Sequence, residues 1–168
     1  MHVVIMGCGR VGAALAAALQ RLGHTVAVVD RDPHAFHRLG RDFRGLQVTG
    51  NGFNKDILIE AGIERASAFA AVSNGDNSNI VSARVARETF GVERVVARIY
   101  DPKRAEVYQR LGIPTVATVS WTTDRFLRML LPEGVATAWR EPSGTMAVLQ
   151  LPLHEDWVGH RVSELEAA

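Results

Sequence analysis

Short runs of β-branched and apolar residues alternate along this chain with longer stretches in which apolar positions recur every three or four residues. That alternation predicts strands of a buried parallel sheet interleaved with amphipathic helices. A strand is expected over 3–6, then an Ala-rich helix over 10–22 that Gly23 ends as a C-cap, then a strand over 25–29 that delivers Asp30 at its carboxyl end. The pattern continues as helix 33–42, strand 46–49, helix 54–61, strand 67–72, helix 76–90, strand 94–99, helix 102–111 and strand 115–117. Six parallel strands with right-handed crossovers make a complete doubly wound α/β domain by about residue 119. Ligands of such a sheet bind at the carboxyl ends of its strands.

The pattern then changes. Residues 120–131 carry Trp121, Phe126, Leu127, Met129, Leu130 and Leu131 around much of a helical circumference, more than one sheet face covers, which predicts contact with another chain. Leu131-Pro132-Glu133-Gly134 ends that helix, and two strands follow over 135–140 and 146–153, joined by a turn at Glu141-Pro142-Ser143-Gly144. The remainder, from Trp157 to Leu165, reads as the opening of a further unit that the chain does not complete.

Bulk properties narrow the function. With 168 residues, 47% of them hydrophobic, the chain is long enough for one well-buried domain and a small appendage. Its net charge of +1 gives no indication of a nucleic-acid partner. No apolar run reaches the ~18 residues of a membrane span, and the N-terminus is a strand without the basic and apolar parts of a signal sequence, so a cytoplasmic location is expected. The single cysteine, Cys8, forms no disulfide framework and agrees with a reducing compartment.

The most specific chemistry lies at the first strand-to-helix turn, Gly7-Cys8-Gly9-Arg10-Val11-Gly12. In this spacing Gly7 makes the tight turn, Gly9 lets backbone approach a pyrophosphate, and Gly12 packs helix on strand, with phosphate held at the helix N-terminus. The interval from Gly12 to Asp30 is that of a βαβ unit, so the carboxylate falls where a ribose diol lies, and the fold is expected to be Rossmann-like. A carboxylate there repels a 2′-phosphate, which favours NAD(H) or a simple adenosine nucleotide over NADP(H); Arg31 softens that exclusion. Asp32 is either a second ribose contact or the N-cap of a helix starting at Pro33. Cys8 is either a thiol made acidic by the helix N-terminus or a small side chain that fits a cramped turn.

Loops after later strands supply the rest of the expected site. Asn51 and Gly52 follow the third strand, where the Asn51 amide suits an adenine edge and the flanking glycines permit close approach; the alternative is a plain turn. Ser73, Asn74, Asp76 and Asn79 follow the fourth, with Asp76 well placed as an N-cap. Arg98 ends the fifth, and Arg10 opens the first helix; each can neutralise a phosphate. A cation at a helix N-terminus opposes the dipole, so Arg10 calls for a compensating anion. His34 and His37 lack a third ligand, and no metal site is expected.

A catalytic apparatus is missing. Tyr100 has Arg104 four residues on, and Tyr108 has Gly112, so no Tyr-x-x-x-Lys pair exists, and the residues after the sheet offer no catalytic arrangement of His, Lys or Cys. A binding module therefore ranks above an oxidoreductase, and a methyltransferase ranks lower still, because its cofactor brings no phosphate to Arg10.

Taken together, the first turn, Asp30-Arg31-Asp32, Gly50-Asn51-Gly52, Ala71-Val72-Ser73 through Asp76 and Asn79, Ala97-Arg98-Ile99 and Tyr108 to Ile113 resemble the N-terminal nucleotide-binding domain of the regulatory subunits of Trk and Ktr potassium uptake systems, the RCK or TrkA-N family. The resemblance implies a domain at 1–119 that binds NAD(H) or ATP and ADP, a crossover and dimerisation segment at 120–144, and the start of a C-terminal lobe at 145–168. It implies a homodimer through the helix at 120–131, a higher ring beneath a potassium-translocating membrane subunit, and attachment to the inner face of the membrane through that subunit. Two positions depart from the family pattern: Asn51 replaces the usual Asp, and Ser120-Trp121-Thr122 replaces the Ser-Pro-Glu of ATP-responsive relatives, so NAD(H) and ATP both remain open.

Overall fold

The computed structural model describes residues 1–130, 136–140, 147–150, 155, 158, 159 and 161. It divides into two compact units, Met1–Ser120 and Trp121–Ala168.

The first unit is the expected sheet. Its strands are β1 (His2–Met6), β2 (Thr25–Asp30), β3 (Leu46–Thr49), β4 (Ala68–Ala71), β5 (Arg94–Ile99) and β6 (Thr115–Ala117), ordered β3-β2-β1-β4-β5-β6. All five pairings are parallel, with Ile5 opposite both Val28 and Ala70. Every residue of β1 is buried, as a central strand covered on both faces must be. Alternation along the strands divides the core in two. Val4, Met6, Phe69, Ala97 and Ile99 face α2 (Lys55–Glu60), α3 (Asp76–Arg84) and α4 (Pro102–Arg110), while Val3, Ile5, Val26 and Val28 face α1 (Arg10–Arg21) and a 3-10 helix at Pro33–Leu39. Burial of each such Val, Ile, Met or Phe side chain contributes roughly 1.5–3 kcal/mol.

Local chemistry sets the element ends. At the end of α1 the N–H of Gly23 reaches the carbonyl of Gln20 and that of His24 reaches Leu19, which is the paired closure that a C-terminal glycine permits. Three helices differ from expectation. Residues 33–42 form a tighter 3-10 helix that stops at Leu39, because Gly40 takes φ +76°. Residues 76–90 begin as α3 but widen into a π-turn at Val85–Thr89, and a short 3-10 turn at Ile63–Arg65 follows α2.

A helix, α5 (Thr118–Leu130), starts two residues before the expected 120. Phe126, Leu127, Met129 and Leu130 on it are exposed. Of the expected hairpin, β7 (Ala136–Arg140) pairs antiparallel with β8 (Ala147–Gln150), with an irregularity between Thr137 and Trp139. The turn at 141–144, Leu131 and most of 151–168 lie outside the described residues.

Candidate nucleotide-binding site

The glycine turn after β1 is built as its spacing predicts. Gly7 adopts φ +104°, and a Cβ there would stand 2.7 Å from the Ser73 backbone nitrogen. A Cβ on Gly12 would meet the Gly7 carbonyl oxygen at 1.8 Å, so α1 approaches the turn as closely as backbone allows. Gly9 is different. A Cβ added there meets nothing within 4 Å, and the residue is exposed. The space in front of it is open.

That open position is the N-terminus of α1. Gly9 is the N-cap residue, no side chain caps the helix, and its first turn holds no acidic residue. The leading N–H groups of a 12-residue helix therefore face outward with the positive end of its dipole. Arg10 and Val11 are exposed beside them, and Arg10 has no ion pair among the described residues. The compensating anion that a cation at this position requires is not supplied by the domain's own side chains.

Asp30 stands across the turn at the end of β2, half-buried. Its Oδ2 accepts the N–H of Cys8 at 2.6 Å and its Oδ1 accepts the N–H of Asp32 at 3.0 Å. Asp32 acts as the N-cap: its carboxylate accepts the N–H of His34 at 3.0 Å, and Arg31 and Asp32 are both exposed. Cys8 is fully buried and its thiol donates to the carbonyl of Ala35 at 3.4 Å. Burial first, then the Asp30 carboxylate, pushes that thiol up to about 11, against a smaller opposing effect of Arg38. The helix N-terminus does not make Cys8 acidic; the small-side-chain reading holds.

The loop after β3 is tightly packed on the protein itself. A Cβ on Gly52 would lie 2.0 Å from Met6 Cγ, and one on Gly50 2.6 Å from Ile57, so at both positions the missing side chain admits a neighbouring one. Asn51 is exposed, and its carbonyl accepts the N–H of Asn54, which in turn caps α2.

The loop after β4 departs most from expectation. Asn79 is completely buried and its amide is fully engaged: Oδ1 accepts the N–H and hydroxyl of Ser73 at 2.9 and 2.7 Å, and Nδ2 donates to the carbonyls of Ser73 and Arg98 at 3.0 and 2.8 Å. Its amide has no capacity left for a ligand, and it holds the ends of β4 and β5 together. Asp76 is not the N-cap of α3, a position that Gly75 fills without side-chain help. Its two oxygens instead accept the N–H groups of Tyr100 and Asp101 at 2.8 and 3.1 Å. Asn74 is exposed at the tip.

Arg98 is half-buried on the α1 side of the sheet, since its strand neighbours Ala97 and Ile99 belong to the opposite core. Its guanidinium lies over the ring of Tyr100, 4.3 Å from the centroid, and its Nε is buried without a hydrogen-bond partner. Desolvation lowers its affinity for the proton, and the Asp76 carboxylate offsets part of that effect. Tyr100 was not singled out as a site residue from sequence; the signal for it is the two-residue spacing from Arg98, which puts both side chains on one face of an extended chain. His37 donates from its ring to the carbonyl of His34, and among the described residues no group of His, Cys, Asp and Glu could hold a metal ion.

An open doubly wound sheet with an uncapped glycine turn on its first helix and a carboxylate at the end of its second strand defines a nucleotide-binding α/β domain. The chain belongs to the TrkA-N domain family, whose model matches residues 3–119. It is 66% identical, over 99% of its length and 74% of the relative's, to the Trk system potassium uptake protein TrkA of Streptomyces coelicolor. It is 32% identical, over 78% of its length and 60% of the relative's, to a Trk system potassium uptake protein TrkA homolog of Methanothermobacter thermautotrophicus. Among solved structures it is similar to GsuK bound to ADP, with 26% identity, coverage of 77% of this chain and 33% of that one, and a TM-score of 0.65.

Proposed function

We propose that this chain is the nucleotide-sensing regulatory part of a potassium uptake system. A bound nucleotide biases the conformation of a homo-oligomeric ring and, through it, a potassium-translocating membrane subunit. The observation that carries the reading is the open, exposed Gly9 at an uncapped helix N-terminus, in the turn that Asp30 holds through the N–H of Cys8. A pyrophosphate fits against that backbone, and the ribose lies toward Asp30. Kinship with Trk system potassium uptake proteins and similarity to an ADP-bound GsuK structure support it.

In this reading NAD(H), or alternatively ATP or ADP, is held by Gly7, Gly9, Gly12 and the N–H groups of Arg10 and Val11. Asp30 takes the ribose, Arg10 and Arg98 take phosphate, and Asn51 borders the base. The domain binds its nucleotide without consuming it. The exposed apolar residues of α5 support a homodimer through that helix. Among the described residues no helix is long and apolar enough to cross a membrane. In this reading the pore is a membrane partner that the domain meets at the inner face of the cell membrane, as kinship with Trk system potassium uptake proteins suggests. Regulation requires different affinities in the two ring states; a tenfold preference supplies about 1.4 kcal/mol per site, and several sites in one ring add.

Calorimetric titration with NADH, NAD, ATP and ADP, with Asp30→Ala as control and absorbance at 340 nm followed throughout, tests the proposal. Binding that Asp30→Ala abolishes, with NADH intact, is the expected result. Consumption of NADH makes the protein an oxidoreductase, and absence of binding removes the sensor.

A further inference from the structure

Arg98 has an incomplete environment. Its Nε is buried without a hydrogen-bond partner, and among the described residues no carboxylate forms an ion pair with it. What holds the guanidinium is an aromatic face: Tyr100, 4.3 Å from Cζ to centroid. The backbone of Tyr100 is itself held, because Asp76 Oδ1 accepts its N–H at 2.8 Å. The carbonyl of Arg98 is tied by Asn79 at 2.8 Å. The first turn of α3 thus anchors the backbone of both residues, and the guanidinium lies at the end of β5 on the α1 side of the sheet.

Distance gives this arrangement a ligand class. β5 is separated from β1 by β4, two strand spacings or about 10 Å. A mononucleotide with its single phosphate on the α1 N-terminus does not extend that far, whereas a triphosphate or the second half of a dinucleotide does. We infer that Tyr100 is a positioning residue that holds Arg98 as a second anion receptor, so that the site distinguishes nucleotides with charge beyond the first phosphate from monophosphates. The inference rests on the nucleotide-binding reading given above. A cation–π contact of a partly desolvated guanidinium accounts for an effect of about five- to tenfold in affinity.

The test is titration of AMP, ATP and NADH into the wild-type chain and into Tyr100→Ala, Tyr100→Phe and Arg98→Ala, with melting curves for each. Tyr100→Ala is expected to weaken ATP and NADH about five- to tenfold and leave AMP within about twofold, with Tyr100→Phe close to wild type because the ring is kept. Equal losses for AMP and ATP, an unchanged Tyr100→Ala beside a weakened Arg98→Ala, or a Phe variant as weak as Ala would each overturn the inference while the nucleotide site stands. Failure of the wild type to bind any of the three removes the site and the inference with it. Should Tyr100→Ala melt early, the comparison of Tyr100→Phe with Tyr100→Leu, which keeps bulk without a π face, decides the matter by the same criteria.

Discussion

Asp30 accepts the backbone N–H of Cys8 at 2.6 Å, so the carboxylate that ends β2 and the glycine turn that ends β1 form one unit. In the site proposed here the same carboxylate serves the ribose, which gives its removal two separable effects. Asp30→Ala should cost about 1–3 kcal/mol of stability, from the orphaned Cys8 and Asp32 N–H groups, and at least tenfold in nucleotide affinity. Asp30→Asn retains an acceptor for Cys8 and recovers most of the stability, but replaces one ribose acceptor with a donor. Urea unfolding and titration on both variants check this; equal affinity in Asn and wild type would detach Asp30 from the ligand.

Two glycines of the same turn should behave oppositely. Gly12→Ala drives a methyl to 1.8 Å from the Gly7 carbonyl oxygen, a backbone collision that should cost more than about 3 kcal/mol. Gly9→Ala meets no protein atom within 4 Å and should cost within about 1 kcal/mol, the loss of a tolerated N-cap residue, yet lose nucleotide binding at least tenfold. Melting curves with and without nucleotide separate the two.

Asn79 offers a test of scaffold against ligand contact. Asn79→Ala orphans the Ser73 N–H and the carbonyls of Ser73 and Arg98, for a cost of about 3 kcal/mol read as a lower urea midpoint at unchanged slope. A variant as stable as wild type would refute the structural role.

The Cys8 thiol carries a pH signature. Its folded value, about 11, lies above its ordinary 9.0, so the neutral thiol is what the folded state favours. The stabilisation from this group is fully present below about pH 9 and is lost as pH rises through about 11. Cys8→Ser, with a hydroxyl that does not titrate there, should flatten the fall in melting temperature over that window. The native thiol should also react with an aromatic disulfide reagent only on unfolding; fast labelling at pH 8 contradicts its burial.

Because Cys8 is buried, one introduced cysteine reports cleanly on α5. Met129→Cys, at a residue 74% exposed, should form a reducible covalent dimer on mild oxidation, whereas Lys55→Cys on α2 should not. A Met129→Cys chain that stays monomeric under oxidant argues against α5 as the homodimer surface.

The strands and the glycine turn were legible because their signals are local. Val3 to Met6 and Val26 to Val29 are apolar runs of the length a doubly covered strand takes, and Gly12 answers a constraint inside the turn itself, the Gly7 carbonyl, although Gly7 also answers the distant backbone of Ser73. The roles of Asp76 and Asn79 were not legible. Either residue suits a helix start in isolation, and what assigns them is tertiary: backbone N–H groups at 100 and 101 for one, the carbonyl at 98 for the other. The tight helix after Asp32 was read too long because periodicity does not separate seven residues of 3-10 from two turns of α. For Cys8 two opposing effects were visible, and only the burial shown by the fold decides between them.

The uncapped start of α1 has a thermodynamic consequence. With a nucleotide bound as proposed, its phosphate fills the place of the N-terminal acceptor, and the ligand becomes part of the secondary structure it binds. Binding to the folded form alone then raises stability by about 2.7 kcal/mol at a hundredfold excess over Kd. The midpoint of thermal unfolding thereby becomes a gauge of nucleotide concentration, and in a cell the lifetime of the folded domain would follow the same supply of nucleotide that it senses.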